Sequence, residues 1–157
     1  MLAATKSFEP HLTGRQNLKF FAALFGISSR KTKQRIEELA NRLEVHTMLD
    51  APLSYYSAGV RHRFALIRSL LHDPQILLLD EPTCNLDPEA RKMIYGFICS
   101  YIHADKKRSV IFTTHHKDDV RLLANRCIIL DKGKIIQQGS GFLCETYFSN
   151  KQDLKET

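Results

Sequence analysis

The sequence predicts an α/β fold in which a helical N-terminal part precedes a core of parallel strands. Three observations carry this. Apolar residues recur at helical spacing from about residue 14 to residue 45. A short oily run, QILLLD, then ends on two adjacent acids, Asp80 and Glu81. Two further strand-like runs, SVIFTT and CIILD, follow with helical stretches between them, and strand–helix–strand order places strands parallel.

The elements follow in order. From Thr13 through LeuLysPhePheAlaAlaLeuPhe the spacing predicts a helix, with Gly26 as its C-terminal stop. Ser28 and Ser29 are placed to cap a second helix, SRKTKQRIEELANRLEV, in which Ile36, Leu39, Leu43 and Val45 form an apolar stripe beneath a charged face. The stretch HTMLDAPLSYY reads as a linker, and Ser57 opens a third helix, AGVRHRFALIRSLL. QILLLD is continuous rather than alternating, the pattern of a strand buried on both faces. Asp87 and Pro88 mark the start of the helix DPEARKMIYGFICSYIHAD. After SVIFTT come the helix KDDVRLLANR, the strand CIILD, a turn at Lys132-Gly133 into KIIQQ, and a short helix expected near Phe142 to Phe148.

Bulk properties narrow the function classes. A chain of 157 residues, 43% hydrophobic and 25% charged, is long enough to bury a core. Its apolar runs, residues 76–79 among them, fall far short of the roughly 20 residues of a membrane span. MLAATKSFEPHL lacks the apolar core of a secretory signal. Cys84, Cys99, Cys127 and Cys144 stand apart without metal-ligand spacing and read as reduced thiols. The formal charge is +6, but the basic residues are dispersed and not interleaved with aromatics, so no direct nucleic-acid contact is expected.

The residues that carry chemistry come in a fixed order. Asp80 and Glu81 fall at the carboxyl end of a parallel strand, where α/β folds bind ligands. One carboxylate there suits a hydrated magnesium ion, and the other can orient or deprotonate a water. Ser57, Ala58 and Gly59 sit at a helix N-terminus, which favours an anion. His115, at the end of SVIFTT, can reach a phosphate oxygen beside the acids.

YSAGVRHRFALIRSLLHDPQILLLDEPTCNLDP, followed by TTHH, closely resembles the ATP-binding cassette (ABC) ATPases. The resemblance implies a P-loop NTPase (RecA-like) core, here incomplete, with residues 1–73 as the helical signature subdomain and 74–157 as the C-terminal part of the core. It implies Tyr56–Val60 as the signature, with Ser57, Ala58 and Gly59 meeting ATP held by a partner subunit. Asp80 becomes the acid holding Mg2+ through water, Glu81 the catalytic base, Asn85-Leu86-Asp87 the D-loop and His115 the switch histidine. The implied partners are a membrane-spanning transporter subunit and a second ATP-binding subunit in a head-to-tail pair, on the cytoplasmic face of a membrane. SFEPHLTGRQNLKFFAALFG resembles the exporter type.

The chain departs from that family in several places. Val60, Ala58, Cys84 and His62 replace more usual residues, and no glutamine precedes Pro10. None of the seven glycines lies in a GxxxxGK[ST] phosphate loop. The expectation is a partial ATPase, inactive alone, from a truncated gene, a misplaced start or a split protein. Missing an inner strand, its core should have open edges and marginal stability. Two other functions fit the same residues: a non-catalytic module completing a partner's ATP site, and a soluble ABC ATPase acting on ribosomes or nucleic acid. The transported substrate is not legible in these motifs.

Overall fold

The computed structural model describes residues 8–141. It divides into two units, residues 1–113 and 114–157.

In the first unit, α1 (Gly14–Leu24), α2 (Ser29–Arg42) and α3 (Ala58–Leu70) pack on one another. Thr13 starts α1 with a reciprocal cap: its hydroxyl accepts from the Gln16 amide at 3.1 Å, and Gln16 Oε1 accepts from the Thr13 amide at 2.8 Å. The helix stops where Gly26 turns left-handed at φ +70°, the position the sequence assigned to it. Ser28 occupies the N-cap of α2, yet its side chain makes no capping bond. The stripe of Ile36, Leu39, Leu43 and Val45 is buried as expected, each such side chain contributing about 1.5–3 kcal/mol.

The linker is ordered. It forms two 3-10 turns, His46–Met48 and Leu53–Tyr55, and the Tyr56 hydroxyl donates to the carbonyls of Met48 and Ala51. Gly14 is wedged so tightly that a β-carbon there would lie 2.3 Å from the Phe64 ring and from the Tyr56 hydroxyl. Arg15 closes the outside, donating to Asp50 Oδ1 at 2.7 Å and to Glu37 Oε1 at 2.5 Å.

Beyond α3, β1 (Ile76–Asp80) pairs in parallel with β2 (Ser109–Thr113), in a register running from Ile76 opposite Ser109 to Asp80 opposite Thr113. Between them lies α4 (Pro88–His103), capped by Asp87 and packed on β2. Asp73, at the turn into β1, accepts from both Arg35 and Arg108 at 2.8 Å and so ties α2 to the start of β2.

Two expectations need correction. β1 is not buried on both faces: Leu77 and Leu79 are covered, but Ile76 and Leu78 are 61% and 69% exposed. A continuous apolar run is thus exposed on one face and covered on the other. The four cysteines are not all free thiols either, because Cys127 is disulfide-bonded while Cys84 and Cys99 are free.

The second unit holds α5 (Lys117–Leu123), β3 (Arg126–Asp131) and β4 (Lys134–Ser140). Lys132 and Gly133 both take positive φ, so a two-residue turn folds β3 and β4 into an antiparallel hairpin. Among the described strands β2 pairs only with β1 and β3 only with β4, which leaves open edges on both ladders. The helix expected near Phe142 to Phe148 lies outside the described residues.

Candidate functional site

Asp80 is the last residue of β1, and the parallel register sets Thr113 directly beside it. The Thr113 hydroxyl donates to Asp80 Oδ1 at 2.5 Å. That bond, the largest influence on the group, holds the exposed Asp80 carboxyl below the usual aspartate range, because it favours the ionised form. Glu81 follows at φ +51°, a left-handed conformation that an unbranched, non-glycine residue adopts at a cost of about 1–3 kcal/mol. Its amide is held there by two acceptors of one residue, the Thr113 carbonyl and the Thr113 hydroxyl oxygen, each at 3.1 Å.

The helix α3 begins as the sequence predicts. Ser57 is the N-cap of α3, and its hydroxyl accepts from the Val60 amide at 3.2 Å. Ser57 and Ala58 are exposed. A β-carbon on Gly59 would meet nothing closer than Leu86, at 3.8 Å. The fold itself therefore does not need glycine there; only something approaching from outside would.

The loop after Glu81 is tied to this helix. His62 Nε2 donates to the Pro82 carbonyl at 2.6 Å, and burial lowers the imidazole pKa. Asn85 turns left-handed at φ +58°. Asp87 Oδ1 accepts from the Ala90 amide at 2.9 Å, and this bond chiefly holds the carboxyl below its usual range. Asp87 is thus the cap of α4. Ser57, Ala58, Gly59, Asp80, Glu81 and Asp87 all belong to the first unit.

His115 stands in the second unit, exposed, its ring 4.1 Å from that of His116. The segment that carries it is braced by Thr114, whose hydroxyl donates to the buried Asp119 carboxylate at 2.6 Å and accepts from the His116 amide at 3.0 Å.

Two contributors escaped the sequence reading. Thr113 passed as an ordinary strand threonine, although two parallel strands ending together place their last residues side by side. His62 was noted only as a replacement, and its bond to Pro82 needed the loop's course to be known.

The family model described as "ABC transporter" matches residues 1–84. The chain belongs to this family. Among curated ABC relatives, the Nod factor export ATP-binding protein I of Cupriavidus metallidurans is 32% identical over 133 residues, 85% of this chain and 43% of that protein. The ABC transporter ATP-binding protein NatA of Bacillus subtilis is 31% identical over 129 residues, 82% of this chain and 52% of its own length. The chain thus spans roughly half or less of these ATP-binding proteins. In fold it is similar to CbiO1 from Clostridium perfringens, described as part of the ABC transporter complex CbiONQ. The TM-score is 0.74 at 23% identity, over 98% of this chain and 59% of that one. The α/β, parallel-stranded architecture is therefore part of the ABC ATPase fold.

Proposed function

We propose that this chain supplies the signature, acid and switch residues of the ATP-binding subunit of an ABC transporter of the exporter type. The observation that carries the reading is the end of β1, where an ionised Asp80 and a backbone-constrained Glu81 share one threonine, next to the loop joined to the signature helix. Export is favoured by the names of the relatives, several of which are Nod factor export ATP-binding proteins.

The donor set fits magnesium. Asp80 offers an ionised, exposed oxygen ligand, the hard and partly hydrated kind that Mg2+ prefers. Asp80 would hold the ion through water, and the ion would offset negative charge on the phosphates. Glu81 would orient a water and accept its proton, while His115 would contact a phosphate oxygen. Ser57, Ala58 and Gly59 would present a hydroxyl and helix-start amides to ATP bound on a second ATP-binding subunit. Asp87 would hold the D-loop by anchoring α4. Functionally, residues 1–73 form the helical subdomain and 74–157 the core portion. The sequence contains no GxxxxGK[ST], so the phosphate loop has to come from outside these residues. The assembly would sit on the cytoplasmic face of a membrane, against a membrane-spanning subunit. Among the described residues no helix is long and apolar enough to cross a membrane.

The test joins the chain to a polypeptide bearing a phosphate loop and measures ATP turnover. Glu81→Gln should lower turnover by about 10²–10⁴-fold while bound ATP is retained. Unchanged turnover would show that Glu81 is not the base.

A second reading rests on the exposed Ser57 and on the open space at Gly59. Here the chain completes a partner's ATP site without catalysis of its own. It predicts that adding the chain stimulates an intact ABC subunit and that Ser57→Arg abolishes the effect. No stimulation by the unmutated chain excludes this module.

A further inference from the structure

We propose that the Thr113 hydroxyl is a positioning group for both acids of the site, fixing the rotation of the Asp80 carboxylate and the backbone of Glu81 through one oxygen. The inference rests on the reading of Asp80 as a metal-holding carboxylate and Glu81 as a base. It adds a residue to which neither the family resemblance nor the motifs give a role.

A threonine hydroxyl has one proton to give and lone pairs to receive with. At Thr113 the proton goes to Asp80 Oδ1 at 2.5 Å, and the oxygen accepts the Glu81 amide at 3.1 Å. The Thr113 carbonyl accepts that same amide, also at 3.1 Å. Asp80 is exposed at the end of its strand, and the Thr113 bond is the largest influence on its carboxylate. Glu81 at φ +51° has left the extended conformation of β1, and the doubled bond to Thr113 marks where it does so. One hydroxyl therefore bonds to one carboxylate and to the backbone point from which the next one departs. Valine in its place keeps the β-branched shape that suits a strand, yet can neither donate nor accept. Serine keeps the hydroxyl and loses only a methyl.

That pair of substitutions separates shape from hydrogen bonding, and NMR on the full chain reads the result. Thr113→Val should speed amide exchange at Glu81 by about fivefold or more and average the Asp80 χ1 couplings over several rotamers. Thr113→Ser should leave both as in the unmutated chain. Amides of Leu78 and Ile111, within the same ladder, serve as the folding control. In the unmutated chain itself the Asp80 couplings should report one rotamer, and averaged couplings there overturn the proposal whether or not the valine variant folds. Equal Glu81 exchange and Asp80 couplings in Thr113→Val and the unmutated chain overturn it as well. Mn2+ alone, added as a paramagnetic probe, tests the underlying reading separately. It should broaden the Asp80 and Glu81 signals, with affinity about threefold or more weaker in Thr113→Val and unchanged in Thr113→Ser, as for loss of a single hydrogen bond. Without broadening in the unmutated chain the metal reading fails, while the couplings and exchange rates still decide what Thr113 does.

Discussion

Glu81 occupies a backbone conformation that suits glycine better than glutamate, and its neighbours hold it there. Glu81→Gly should raise the thermal midpoint, since it relieves a strain of about 1 kcal/mol or more, while removing the carboxylate. Glu81→Ala, which keeps the strain and loses the same carboxylate, should not. Calorimetry of the two variants side by side checks this, and equal midpoints would count against strain at this position. Such strain has no signature in LLLDEP, because nothing about Glu81 as a residue type announces a positive φ. The pair of acids was legible because an apolar run ending in two carboxylates is a chemical anomaly in one dimension. Thr113 was not, since its role depends on a register that brings together residues 33 positions apart.

Between elements, the bond from His62 to Pro82 joins α3 to the loop that follows the acids. Burial favours the neutral imidazole in the fold, so the folded pKa lies below the unfolded one. The associated stability is present above the ordinary histidine pKa of about 6.5 and is lost as pH falls through the lower folded value. His62→Gln should remove that acid-side loss, because the glutamine amide can still donate to Pro82 and does not titrate. Denaturation midpoints at pH 7.5 and 5.5 make the comparison, and an identical pH dependence in both proteins would dismiss the idea. Gly14 sets the contact between α1 and α3 in another way. With Phe64 and Tyr56 only 2.3 Å from where a β-carbon would sit, Gly14→Ala should cost about 1–3 kcal/mol through overpacking, visible as a lower urea midpoint. Helices and strands were readable from periodicity. The 3-10 turns of residues 46–55 were not, because single short turns carry no periodic apolar pattern, and the Tyr56 hydroxyl that braces them reaches back to the carbonyls of Met48 and Ala51.

For the molecule as a whole, acid tolerance and solubility should have separate origins. Arg15 lowers the pKa of Glu37 and of Asp50 chiefly through hydrogen bonds, so both carboxylates prefer the folded state when ionised. Their contribution holds above the ordinary carboxylate range near pH 4 and disappears as pH falls through the lowered values. Arg15→Met should therefore lose stability at pH 7 and converge with the unmutated chain near pH 2, as read by circular dichroism. Solubility depends on the sheet. Ile76, Leu78 and Ile111 lie on the uncovered side of β1 and β2. Leu78→Lys should raise soluble yield without altering the helical signal. No sequence pattern distinguished that side from the buried one, because β1 carries the same residue types on both. Cellular quality control binds and degrades chains that display such apolar strands. Hiding Ile76, Leu78 and Ile111 should therefore lengthen the lifetime of this polypeptide in a cell, so that its abundance would report how far they are covered.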